Sequence, residues 1–73
     1  MVKISPEKKY FVKLDRSPVQ ILVSGDKLHG QKGKLMLDVG GEGLAARALQ
    51  KDAIEDEEGR SVRRIVKIEE VQE

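Results

Sequence analysis

A chain of 73 residues, 38% hydrophobic and 37% charged with a net charge of +1, has room for one domain with one small core and little for a deep catalytic cleft besides. It contains no cysteine, which excludes a disulfide framework and thiolate metal sites. No apolar run approaches the roughly 18 residues of a membrane span. The near-neutral total hides a split: residues 1–36 carry eight Lys/Arg against three Asp/Glu, residues 37–73 six against ten. Such a split can mark an anion-binding face or a mixed solvated surface. The opening MVKISPEKKY lacks the apolar stretch of a signal peptide, so a cytoplasmic, membrane-free protein is expected.

Taken in chain order, Ser5-Pro6 closes a flexible N-terminal arm over residues 1–6, because a residue before proline avoids the helical region. Residues 8–15 alternate, with Tyr10, Val12 and Leu14 on one side and Lys9, Phe11 and Lys13 on the other, the period of a half-buried strand. After Arg16-Ser17-Pro18, residues 19–24 repeat the pattern with Val19, Ile21 and Val23. Gly25 to Gly33 reads as a polar loop with three glycines. Residues 34–39 form the next strand, with Leu35, Leu37 and Val39 inward. The glycine-rich turn 40–43 leads to residues 44–54, where strong helix formers compete with an equally good alternation. A strand at 44–49 followed by a helical turn at 51–54 is the reading adopted, with a helix over 43–54 as its alternative. An acidic turn, Glu55 to Gly59, precedes a final strand over 61–71 that points Val62, Val66 and Ile68 inward.

These elements predict an all-β domain, a small five-stranded SH3-like barrel with one short helical turn. The alternative is an α+β domain of four strands and one helix. With Tyr10 and Phe11 the only aromatics, the core beyond Tyr10 falls to aliphatics: Tyr10, Val12, Leu14, Val19, Ile21, Val23, Leu35, Leu37, Val39, Ile54, Val66 and Ile68 are the expected inward set.

Within residues 23–39, VSGDKLHGQKGKLMLDV, a strand leads through a Gly-Lys-rich turn and a spaced glycine pair into an alternating strand. Gly30-Gln31-Lys32-Gly33-Lys34-Leu35 carries the core of the pattern and Ser24-Gly25-Asp26-Lys27 its opening. This resembles the KOW motif of ribosomal proteins and transcription elongation factors, although the stretch from Gly25 to Gly30 is one residue longer than the usual form. The resemblance implies an RNA-binding loop. Independently of it, Gly30 and Gly33 would permit positive φ at the chain reversal. Lys27, His29, Lys32 and Lys34 would then share an exposed loop, with Lys8 and Lys9 as neighbours, and could meet phosphate oxygens by charge alone. Two adjacent aromatics make a poor stacking platform, so any such binding is expected to be phosphate-dominated.

No catalytic constellation is legible. His29 is the sole histidine, without a partner to orient it or a nucleophile to activate. The acidic run 55–58 lacks the spacing of a calcium loop, and Gly40-Gly41-Glu42-Gly43 lacks the Gly-Lys-Ser/Thr ending of a phosphate loop. The expectation is therefore a non-enzyme with no cofactor and no metal. It would be a small interaction or assembly module, such as an accessory subunit or a phage-type structural protein, with a protein partner. A nucleic-acid-binding module is the alternative.

Overall fold

The computed structural model describes residues 3–72. In chain order these form β1 (Lys9–Leu14), β2 (Gln20–Ser24), a single 3-10 turn (Gly25–Lys27), β3 (Leu28–Gln31), β4 (Lys34–Asp38), α1 (Leu44–Gln50), β5 (Ile54–Glu55) and β6 (Ser61–Glu70). All pairings are antiparallel. The strand order is β2-β1-β6-β4-β3, with β5 also against β6. The described residues are thus sheet-rich, with six strands rather than the expected five. Among the described residues no strand joins β2 to β3, so the sheet is open at both ends.

The long strand β6 organises the architecture. Its first half pairs with β4 and β5, its second half with β1. Between them the register slips: Lys13 faces Lys67 but Leu14 faces Ile65. Val66 is the extra residue of this bulge, which bends the strand and reverses its alternation. Ile65 therefore packs on the core while Val66 is turned out to 57% exposure. The inward placement of Val66 expected from a strict period of two is corrected by that one inserted residue.

The core comprises Tyr10, Val12, Leu14, Leu28, Leu37 and Val39, with Ile4, Ile21, Val23, Leu35, Leu49, Ala53, Ile65 and Ile68 against it. Two more expected members, Val19 and Ile54, are exposed. Val19 lies just before β2, and Ile54 lies on the two-residue strand β5 at the margin of β6. On the opposite face of the β4–β6 pair, Met36 and Val62 are also buried, so this part of the sheet is apolar on both sides.

Residues 44–50 are helical, which corrects the strand expected at 44–49 and the helical turn expected at 51–54. Ala46, Leu49, Gln50 and Ala53 are the half-buried positions, an i, i+3, i+4, i+7 stripe. β4 already has β3 and β6 as neighbours and needs no strand from this segment. The intrinsic preference of Leu-Ala-Ala-Arg-Ala-Leu-Gln for helix then prevails. The Gln50 amide donates to the carbonyls of Val39 and Gly41, pinning the helix to the glycine-rich turn.

Gly25 to Gly33 is not one loop. Gly25 is buried and its N–H bonds to the Lys8 carbonyl at 2.8 Å, while Leu28 enters the core as the first residue of β3. The Tyr10 hydroxyl accepts a hydrogen bond from the Ser5 N–H at 2.9 Å, which holds the segment before β1 over the same end of the sheet.

Candidate functional site

The β3–β4 hairpin closes through Lys32 and Gly33, whose φ values are +53° and +76°. Positive φ at both central residues is the turn whose twist matches the flanking strands. Gly33 thus takes the left-handed conformation expected of it, but Gly30 does not: it lies in β3 opposite Leu35, and Lys32 supplies the other positive φ.

The six basic positions singled out by the sequence do not form one patch. Lys8 and Lys9 border the 3-10 turn that carries Lys27, because Lys9 faces Ser24 and Lys8 bonds to Gly25. Lys32 and Lys34 stand at the far end of the hairpin. The intervening length of β3 separates the two groups by roughly 15 Å at about 3.4 Å per residue.

Several of these cations already have partners. Lys8 Nζ lies 3.1 Å from Glu70 Oε1, and that hydrogen bond, with the carboxylate's charge, holds its ammonium above the usual lysine range. Lys32 Nζ lies 3.3 Å from Glu57 Oε1. His29 is half-buried. Its Nδ1 is 3.1 Å from Arg60 Nη1, which can only donate, so this nitrogen accepts. Its Nε2 faces Asp38 Oδ2 at 3.7 Å. Lys9, Lys27 and Lys34 have no ion pair among the described residues.

The acidic turn is more ordered than a solvated run. Asp56 is the first residue of an Asx-type turn: its Oδ1 accepts from the N–H groups of Glu58 and Arg60, and its Oδ2 from Arg60 Nε at 2.7 Å. Burial alone would push the Asp56 carboxyl up. The Arg60 N–H, the Arg60 guanidinium and the Glu58 N–H outweigh it and hold the group below the usual range. Arg60 thereby joins the β5–β6 turn to His29 on β3. The sequence signal was present, an Asp followed by Gly59 and a cation, but nothing in it pointed to His29.

Two surface clefts flank the hairpin. One, of about 370 Å³, runs between its tip and Ile68 over an apolar floor that includes Leu35. The other, of about 270 Å³, lies on the opposite face, where Lys32, Lys34 and Arg64 surround Met36 and Ile54, with Glu55 at its side. Arg64 was absent from the basic set expected from sequence. Its place opposite Met36 follows from the β4–β6 register, which local sequence does not encode. Among the described residues, no group of His, Asp and Glu is suited to hold a metal, and no helix is long and apolar enough to cross a membrane.

The other notable surface is the free end of the sheet at β2. Its outer face presents Leu22, 53% exposed, beside Phe11, its direct partner on β1. Its inner face carries the half-buried Ile21 and Val23. From Gln20 to Ser24 there is no charge and no proline. The strand at the opposite end, β3, is instead flanked by Lys27 and Lys32, a common protection of exposed edges. Compared with family models, curated proteins and solved structures, the chain matches none.

Proposed function

We propose that this chain is a non-catalytic protein-interaction or assembly module on an SH3-like framework, and that its contact strand is β2. The observation carrying this reading is the unprotected edge: an uncharged strand with Ile21 and Val23 on its inner face and Leu22 between Gln20 and Ser24 on its outer face, one side of it unpaired among the described residues. The backbone alternation says which groups it offers. Gly25 N–H bonds to the Lys8 carbonyl, and two-residue steps along the β1–β2 register direct Val23 and Ile21 towards β1. Gln20, Leu22 and Ser24 then direct their N–H and C=O groups outward. An added strand would satisfy those groups and cover Leu22 and Phe11, the mode of recognition by β-augmentation.

A second reading, a nucleic-acid-binding module using the KOW-like hairpin, is favoured by one observation: Lys32, Lys34 and Arg64 line one groove. The pairing of Lys32 with Glu57, the presence of Glu55 and the lack of a stacking aromatic in that groove weigh against it.

Photo-crosslinking in the native cell separates the two readings. A photoreactive residue in place of Leu22 is expected to yield protein adducts. One in place of Lys34 should yield none with nucleic acid. Nucleic-acid adducts at position 34 with nothing at position 22 would overturn the proposal in favour of the second reading.

A further inference from the structure

Given that reading of β2 as the contact strand, we infer that the strand it receives is β2 of a second copy, paired antiparallel about a two-fold axis through Leu22. The inference rests on how the edge matches itself. With Leu22 opposite its own counterpart, Ile21 faces Val23 of the second copy and Gln20 faces its Ser24. Leu22, Gln20 and Ser24 are the residues whose backbone groups point outward, so each of these opposed pairs exchanges its N–H and C=O in the closely spaced arrangement. Every cross-strand pair is neutral. On the inner face the half-buried Ile21 and Val23 meet, and on the outer face Leu22 meets Leu22, extending the apolar row begun by Phe11. A two-fold contact of this kind is closed, since the same patch serves both copies. Pro18, which lacks an N–H, stands next to Val19 ahead of β2 and limits the pairing at that end.

Charge does not oppose the contact. The nearest like charges in one row are Lys13 on β1 and Lys9 on β1 of the second copy. Lys13 neighbours Gln20 and Lys9 neighbours Ser24, so three inter-strand spacings separate them, about 14 Å. That exceeds the Debye length of about 8 Å at physiological ionic strength, so their repulsion is screened. The same operation at β3, the other open end, would bring together a strand flanked by Lys27 and Lys32. The structure thus singles out β2 among the two ends.

The test is sedimentation equilibrium of the whole chain from about 10 μM to about 1 mM, a span that covers dissociation constants of weak closed dimers. It is combined with isotope-filtered NMR on a mixture of labelled and unlabelled chain. The expected result is a monomer–dimer equilibrium with intermolecular contacts between Ile21 and Val23. Leu22→Lys should weaken it at least about tenfold, with an amide spectrum that otherwise matches the parent. Gln20→Lys, at an exposed position on the same edge, serves if the first variant misfolds. A monomer throughout that range, or a dimer indifferent to both lysines, would overturn the self-pairing. If crosslinks from position 22 then reach a different protein, β2 is still the contact strand and only the identity of its occupant was wrong. If they reach nothing, the reading beneath fails as well.

Discussion

Gly25→Ala should be among the most damaging single-methyl additions in this chain. A Cβ built at Gly25 would lie 2.0 Å from the Ser5 carbonyl oxygen and 3.1 Å from Tyr10 Cε2. Gly25 cannot retreat, because its N–H is bonded to the Lys8 carbonyl and its own carbonyl accepts the Leu28 N–H. Ser5 must move instead, by more than about 1 Å if carbon and oxygen are to regain ordinary packing distance. That movement pulls its N–H from the Tyr10 hydroxyl and lifts Ile4 from the core. Tyr10 is fully buried, so a hydroxyl left without its partner costs about 1–3 kcal/mol, and overpacking adds about 1–3 kcal/mol. A net loss of about 3 kcal/mol is expected, against a total stability of about 4–11 kcal/mol for a domain this size. The melting temperature should fall by more than about 10 °C. Gly30→Ala is the control: nothing lies within 4 Å of its Cβ and its φ is not in the left-handed region, so it should change stability by less than about 0.5 kcal/mol. Urea and thermal melts followed by circular dichroism measure both. Equal effects at the two glycines, or a loss below about 0.5 kcal/mol for Gly25→Ala, would refute the close approach of the Ser5 segment.

Gly33→Ala, at φ +76° in the hairpin turn, should cost about 1–2 kcal/mol through left-handed strain, read by the same melts. Leu37→Ala, at a position 2% exposed, should cost about 2–4 kcal/mol, whereas half-buried Ile21 should lose less on the same truncation. Arg63 is buried, donates to the Asp15 carbonyl and lies near the carboxylates of Asp15 and Asp52. Arg63→Ala should cost about 2–3 kcal/mol through that charge-assisted bond, and Arg63→Met should recover part of it by restoring the packed stem. The Asp56 carboxyl is held below its ordinary value of 3.8, so its stabilisation is full above about pH 4 and is lost as pH falls through the lowered value. A melting-temperature profile from pH 7 to pH 2 should therefore show a shallower acid limb for Asp56→Asn than for the parent, and unchanged limbs would remove this role.

Local pattern decided the strands whose two faces differ. Tyr10, Val12 and Leu14 alternate with Lys9, Phe11 and Lys13, and a half-buried strand is the single element that gives such a row one wet face. Leu35, Leu37 and Val39 were legible for the same reason, and Gly33 as a glycine at the chain reversal, whereas the same argument misplaced Gly30, which lies in β3 while Lys32 takes the second positive φ. The errors lie where the deciding partner is distant in sequence. Leu28 sits among lysine, histidine and glycines, so its composition reads as loop. It becomes a strand because Leu37 pairs with it and the core accepts its side chain. Residues 44–50 satisfy both periods, and the choice falls to helix because β3 and β6 already occupy both edges of β4. In β6 the bulge at Val66 arises where one strand must serve β4 and then β1, and that single slip reverses which residues are buried on either side of it. The basic residues were visible one by one, but not their division into two groups or the pairing of Lys8 with Glu70, Lys32 with Glu57 and His29 with Arg60. Those contacts span 25 to 62 positions, and only the pairing of β6 with both β1 and β4 brings them within reach. The neutrality of Gln20–Ser24 can be read directly from the sequence. That this strand stands at the end of the sheet, where neutrality leaves it open to a partner, was decided by the topology alone.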